Sequence, residues 1–328
     1  MDEWIQAKII LQFHSSFFRS KKIKERDKMT DKNNEIVKKI EKNGNRVSNS
    51  RLSSYACRNF EISFDRISLV GDLIESEELA FSSFISNSVY FNIFDLHTSQ
   101  VKGQSVDNVV YFEYDKFKGK AHERRNMRVE FNPNNLDQNL RKIIRDEFVS
   151  RMKNTGFSRL DLAFDCYENI KDYYVLSDAA LKKTIIYGRN GEPETKYFGS
   201  RDSDRYIRIY NKKQEIKDNK DLEIEAENYW RIEFELKRER TERWATCFED
   251  LNFLKPDYKT IDDFVLKAKV FYLLNDESAW GELNKNTKTK YRKILKEISP
   301  VNLKNDMQEE LNLQREKLQK ELDFWLGE

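Results

Sequence analysis

The chain has 328 residues with four prolines, ten glycines and 13% aromatic side chains, a composition that excludes a linker-rich or disordered protein. Its 59 basic and 57 acidic residues nearly cancel, so net charge names no partner, and no apolar run is expected to span a membrane. Three scattered cysteines, Cys57, Cys166 and Cys247, form neither a metal-ligand spacing nor a disulfide framework and point to a reducing cytoplasm.

Residues 1–55 are polar and aperiodic and are expected to be a flexible segment, with 1–28 read as an extension from an upstream start and Met29 as the alternative start. A folded domain begins near Phe60. Glu61 to Val70 alternates as a strand, and a helix is expected over Glu75 to Ser86. Val109 to Asp115 and Met127 to Phe131 look like a strand pair around the basic loop Lys116 to Arg125. Leu136 to Thr155 reads as a helix closed at Gly156, where a left-handed cap is easiest. After the strand at Arg159 to Asp165, a helix is expected over Lys171 to Ile186, then a turn at Gly188 to Gly191. Glu194 to Gly199 should pair with Tyr206 to Tyr210, and Lys213 to Glu227 is a charged connection to a strand at Trp230. From Leu251 the pattern is helical, over Ile261 to Leu274, Tyr291 to Ile298 and Leu303 to Leu326. The last carries Met307, Leu311, Leu318, Leu322 and Trp325 near heptad spacing, a stripe expected to pack on its own domain.

The fold class is α+β: a large, mostly antiparallel sheet with helices on one face and a helical C-terminal region. A sheet domain is expected over 56–250 and a helical region over 251–328. Two rounds of strand, helix, strand, loop, strand end in Arg128-Val129-Glu130-Phe131 and Arg231-Ile232-Glu233-Phe234, which hints at an internal duplication.

Side chains alternate along a strand, so Tyr206, Arg208 and Tyr210 share a face opposite Ile207 and Ile209. The same division sets Arg128 and Glu130 against Val129 and Phe131, and Arg159, Asp161 and Asp165 against Leu160, Leu162 and Phe164. It also sets Arg231, Glu233, Glu235 and Lys237 against Ile232, Phe234 and Leu236. A merely solvated face would carry more Thr, Ser, Lys and Gln than these arginines and acids.

A phenol ionises near pH ~10, so as a nucleophile Tyr210 needs a cation, a metal or a base beside it. Arg208 and Lys212 are candidates for the first. Asp161, Glu233, Asp165 and Glu130 offer oxygen only, which suits Mg²⁺ or Mn²⁺, with Asp161 and Glu233 as first choices. Arg159, Arg201, Arg231 and Lys237 are candidate phosphate contacts, although Arg159 and Arg231 could equally be buried partners of the acids. Glu215 is read as a solvated helix residue rather than a partner of Lys212. The three histidines are not spaced to share a metal, and no phosphate-binding glycine loop occurs, so the chain is not an NTP-driven helicase. Asn284 to Lys296 holds six basic residues and no acid. Within it Lys285, Asn286, Thr287, Lys288 and Lys290 combine cations for phosphates with amide and hydroxyl groups for base edges.

The runs RRNMRVEFNPN at 124–134, RLDLAFD at 159–165, YGRNGEPETKYFGSRDSDRYIRIYNKKQE at 187–215 and WRIEFELKR at 230–238 closely resemble the Rep_trans family, rolling-circle replication initiators of small staphylococcal-type plasmids. The resemblance runs from about Ser50 to Trp325. It implies a homodimer that binds a double-strand origin sequence-specifically, nicks one strand in a hairpin and stays joined to the 5′ phosphate through the tyrosine of IRIYNKKQE, here Tyr210. The free 3′ hydroxyl then primes synthesis, a host superfamily 1 helicase is recruited, and origin discrimination falls to the C-terminal part. The alternative class is a non-catalytic origin-binding or copy-control protein that keeps the fold.

Overall fold

The structure, a computed structural model, describes residues 60–97, 99–117, 124–178, 181–189, 191–220 and 222–327. The segment 1–55 expected to be flexible and most of the basic loop at 116–125 lie outside the described residues. Ten strands form one sheet: β1 (Glu61–Leu73), β2 (Phe91–His97), β3 (Gln100–Ser105), β4 (Val110–Asp115), β5 (Met127–Phe131), β6 (Met152–Cys166), β8 (Lys183–Tyr187), β9 (Pro193–Phe198), β10 (Arg205–Asn211) and β11 (Trp230–Lys237). Every pairing is antiparallel. The spatial order is β2-β3-β4-β5-β1-β6-β11-β10-β9-β8. The first five strands thus lie in the order 2-3-4-5-1, and the second set repeats it as 8-9-10-11-6, with β1 and β6 paired at the seam. This is the topology that a duplication would leave, and RVEF and RIEF occupy its equivalent strands, β5 and β11. A second, two-stranded sheet pairs β7 (Tyr174–Ser177) with β12 (Leu251–Leu254).

The apolar alternation that the sequence carries becomes one continuous buried face. Phe64, Ile67, Leu69, Leu160, Leu162, Phe164, Ile207, Ile209, Ile232, Phe234 and Leu236 are each at most 2% exposed. Helix α1 (Glu78–Asn87) covers one end of it with Phe81 and Phe84, which meet Phe148 edge-on at ring distances of 5.5 and 6.1 Å. Helix α6 (Leu303–Leu326) buries Leu303, Met307, Leu311, Leu318, Leu322 and Trp325 in the same core. Its heptad-like stripe is therefore used within the domain, and Trp325 lies 4.5 Å from the Phe131 ring. Helices α4 (Phe264–Asn275) and α5 (Lys285–Glu297) instead enclose a second cluster that includes Tyr174, Leu176, Val270, Leu273, Tyr291 and Leu295. Among the described residues no helix is long and apolar enough to cross a membrane.

Several local expectations are corrected. The helix expected over 136–155 is only α2 (Gln138–Ile143), capped by the Asp137 carboxylate, followed by a π turn at Ile144–Phe148 and a short 3₁₀ turn. Burial of Phe148 in the aromatic cluster overrides the capping signal. The left-handed residue is Asn154, at φ 54°, and Gly156 lies inside β6. The helix expected over Lys171 to Ile186 is replaced by β7 and β8. Tyr174 and Leu176 face the second cluster while Val175 faces the main core, so a strand satisfies both at once. Leu251–Leu254 is likewise a strand in a region expected to be helical. The charged connection after Tyr210 opens as helix α3 (Lys212–Lys220), and α5 starts at Lys285, where Asn284 caps it by accepting from the Thr287 amide at 2.9 Å. Strands β2 and β3 have no counterpart among the elements expected from sequence.

Replacing Trp325 with Ala removes the ring that fastens α6 to β5. Urea titration should show a loss of about 3–5 kcal/mol in unfolding free energy, whereas Leu313→Ala, on the exposed face of α6, should be nearly neutral.

Candidate active site on the polar face of the sheet

Strand register assembles the polar residues. Across β10, β11 and β6, Tyr210 faces Arg231, which faces Asp165. Arg208 faces Glu233, which faces Ala163, and Tyr206 faces Glu235, which faces Asp161. Tyr210 donates its phenolic proton to Glu233 Oε2 at 3.2 Å. The Arg208 guanidinium contacts Glu233 Oε1 and lies 3.6 Å from Asp161 Oδ2. Both carboxylates are only 2% exposed. Lys212 stands 5.6 Å from the centre of the Tyr210 ring, and its ammonium pairs with Glu215 at 2.8 Å, so Glu215 is a partner of that lysine after all.

The other predicted residues are held in ion pairs around this centre. Arg231 grips Asp165 through Nε at 2.6 Å and Nη2 at 2.8 Å, and reaches Asp65 on β1 at 2.8 Å. At 6% exposure it is a buried partner of acids rather than a phosphate contact. Arg159 makes two 2.7 Å bonds to Asp161 and one to Glu235 at 2.7 Å. Lys237 bridges Glu235 and the Arg201 carbonyl, both at 2.6 Å, and the exposed Arg201 guanidinium lies 5.9 Å from the Tyr206 ring. Glu130 sits on β5, two strands from Asp161, where Arg66 and Arg128 contact it and Ser68 donates to it at 3.1 Å.

The four acids proposed from sequence therefore do not converge: among the described residues no group of three His, Cys, Asp or Glu side chains could hold a metal ion. Asp165 is saturated by Arg231 and by the Tyr229 hydroxyl at 3.0 Å, and Glu130 by its own arginines. Asp161 and Glu233 are the two acids that Arg208 approaches together, and each already has partners, Asp161 in Arg159 and Glu233 in Arg208 and Tyr210. Their chemistry fits Mg²⁺ or Mn²⁺, which take one or two protein carboxylates and fill their other positions with water and substrate phosphate oxygens.

Burial shifts this pair's protonation. It pushes Glu233 up to about 7, with the Asp161 charge adding to it against the opposing pull of Arg208. Burial also raises Asp161. The Tyr210 phenol is pushed up by burial first and by the Glu233 charge second, which outweigh the help of Arg231. Sequence alone suggests cations that ease its ionisation. Instead the protein holds a protonated phenol against a carboxylate poised near neutrality.

Tyr210 opens into a cavity of about 320 Å³ lined also by Thr195, Tyr197, Arg208, Asn211 and Gln214. Tyr197 stacks on Tyr206 at 5.6 Å with rings tilted by 15°. Asp65 and, apart from Arg208, the lining named here are not among the site residues proposed from sequence. Asp65 was detectable: Phe64-Asp65-Arg66-Ile67 breaks the period of two, and the register shifts there, so two successive polar residues fit between buried ones. The repeat places Glu113 opposite Arg128 and Tyr111 opposite Glu130, the positions of Tyr210 and Arg208 in the second half. Of the residues proposed for base reading, Lys285, Asn286 and Lys290 are exposed on α5, and Thr287 and Lys288 are half-buried. All lie outside the Tyr210 cavity.

Comparison with known proteins adds an independent line. A family profile described as "Replication initiation factor" matches residues 155–317, and another, "Replication initiation protein, N-terminal", matches residues 66–152. Two replication initiation proteins of Staphylococcus aureus are 48% and 47% identical over 283 residues, which is 86% of this chain and 90% and 91% of theirs. A solved rolling circle replication initiator protein from Geobacillus stearothermophilus aligns at 15% identity and a TM-score of 0.40 over 64% of this chain and 91% of its own. The chain belongs to the family of replication initiation factors.

Proposed function

We propose that the chain initiates rolling-circle replication of a plasmid by cutting one strand of the double-strand origin with Tyr210. The observation that carries this reading is the 3.2 Å hydrogen bond from the Tyr210 phenol to Glu233, a carboxylate whose affinity for protons matches neutral pH. As the phenolic oxygen attacks phosphorus, its proton passes to Glu233 Oε2. The bond from phosphorus to the 3′ oxygen breaks, the 3′ oxygen takes up a proton from water while Glu233 returns its own to water, and the 5′ phosphate stays esterified to Tyr210. Reversal of these steps rejoins DNA. Arg208 neutralises charge beside the phosphate, and Lys212 supports it from the ring face. Asp161 would hold Mg²⁺ or Mn²⁺, which would supply positive charge to the phosphate oxygens and leave Glu233 to act as the base. The exposed Lys285, Asn286 and Lys290 present α5 to duplex DNA, where they select the origin. Homodimerisation and recruitment of a host superfamily 1 helicase complete the proposal and rest on the family resemblance.

Tyr210→Phe should abolish conversion of supercoiled origin plasmid to open circles while leaving origin binding intact. Mass spectrometry of the unaltered chain after cleavage should find the oligonucleotide on the peptide containing Tyr210. A link to Tyr197, Tyr206 or Tyr187 instead would refute the assignment.

The Glu233 carboxylate accepts a proton only when ionised, so the nicking rate should rise about tenfold per pH unit below 7 and level off above it. Glu233→Gln should lower the plateau by about 10²–10⁴-fold and remove the slope. Added Mg²⁺, by placing positive charge near Glu233, should move the midpoint of the unaltered chain to lower pH. A flat profile in single-turnover assays would exclude Glu233 as the base.

A further inference from the structure

A second cavity, of about 230 Å³, lies where β7 and the start of β8 meet α5, and it shares no lining residue with the one that holds Tyr210. Three aromatic rings, Tyr174, Phe198 and Trp280, and three cations, Lys183, Lys288 and Arg292, line it together with small and aliphatic residues. Its lining contains no carboxylate. The Trp280 indole is pinned by donation to the Leu273 carbonyl at 2.8 Å, and the Lys183 ammonium lies 4.8 Å from the centre of the Tyr174 ring.

Lys288 and Arg292 are one helical turn apart, so they present a common face of α5 to this space. Neither is held by an ion pair among the described residues, and Arg292 Nε is buried with no hydrogen-bond partner there. Lys183 also lies within electrostatic reach of a buried lysine on the neighbouring strand β9. Burial, reinforced by repulsion from Lys183, holds the ammonium of Lys196 down to about 8, and that group is spent on the carbonyls of Lys171 and Tyr173. Lys288 and Arg292, uncompensated beside fixed flat rings, suit an anion attached to a planar ring. The space is below the about 300–1,000 Å³ of pockets for drug-sized ligands, so it takes one ring system and no duplex. Lys285, Lys290, Lys293 and Lys296 continue the positive surface along the exposed side of α5, which favours a polymer over a free mononucleotide.

We infer that this cavity receives one unpaired nucleotide of DNA, its base against Trp280 and Tyr174 and its phosphate on Lys288 and Arg292. The inference rests on the reading of the chain as an initiator that acts on DNA. Helix α5 then has two roles. It faces duplex along its exposed side, and on the other it holds an unstacked nucleotide against β7 and β8, at the outer end of the sheet that carries Tyr210.

The test uses the full chain and a fluorescent eight-residue dT oligomer, with fluorescence anisotropy as the readout and dTMP as the free-nucleotide control. Arg292→Ala and Lys288→Ala should each weaken oligomer binding about tenfold and reduce the magnitude of the salt slope by about 0.7 per lost phosphate contact. Photocrosslinking through 5-iodouracil should mark peptides containing Trp280 or Tyr174. Far-UV circular dichroism checks that each variant folds, and Lys288→Ala, half-buried on α5, stands in if Arg292→Ala does not. Unchanged affinity in the folded variants, or crosslinks confined to Tyr197 and Tyr206, would overturn the site. Binding of dTMP as tight as that of the oligomer would overturn the DNA assignment in favour of a free nucleotide. Adduct formation at Tyr210 by the unaltered chain is measured separately, so failure of the nicking reading is distinguishable from failure of this one.

Discussion

The ion triad of Arg231 with Asp165 and Asp65 ties β11, β6 and β1 together on the polar face, directly beside Tyr210. Charges this deeply buried are tolerable only when paired, and removing one partner of such a group costs about 3–5 kcal/mol. Pairing is complete around Arg231, where burial alone would weaken the guanidinium's hold on its proton but the two aspartates more than restore it. Asp65 in turn stays below the usual carboxylate range, because Arg231 and Lys212 outweigh its own burial. Compensation thins toward Glu233, which has one guanidinium and one phenol for its two oxygens. Proton-transfer chemistry becomes available where the pairing runs short. The neighbour of Glu233 on β6 is Ala163, which offers no polar group to it.

The two halves of the sheet share a strand order but have diverged in the property that matters for chemistry. In the first half Glu130 is bracketed by Arg66 and Arg128, and an acid, Glu113, stands where the second half has its phenol. In the second half the equivalent carboxylate, Glu233, meets Arg208 and Tyr210. The seam between β1 and β6 brings the halves into one face, and it lets Asp65 of the first half serve the second.

Much of this was legible in the sequence because alternation is a local rule. Four strands, their buried faces and the face of β10 that carries Tyr210 follow from period two alone. Contacts across strands were not legible, since they depend on register: the metal set was drawn from acids that share a face but are held by different arginines. Glu130 and Asp165 failed for that reason. Helix ends failed where tertiary burial competed with local signals, as at Phe148, and Tyr174 to Leu176 was misread because a strand serving two cores is apolar on both sides. Tyr197 faces the site only through the pairing of β9 with β10, which no single-strand pattern contains.

The repeat has a further consequence for stoichiometry. Because the first half supplies Glu113 at the position of Tyr210, the phenol at that position of the sheet occurs once per chain, and in the proposed reaction it is consumed when the ester forms. On that reading a second strand cannot be received at the equivalent position of the first half, where a carboxylate stands, so a further transfer through this position would have to reverse the first bond or recruit another copy.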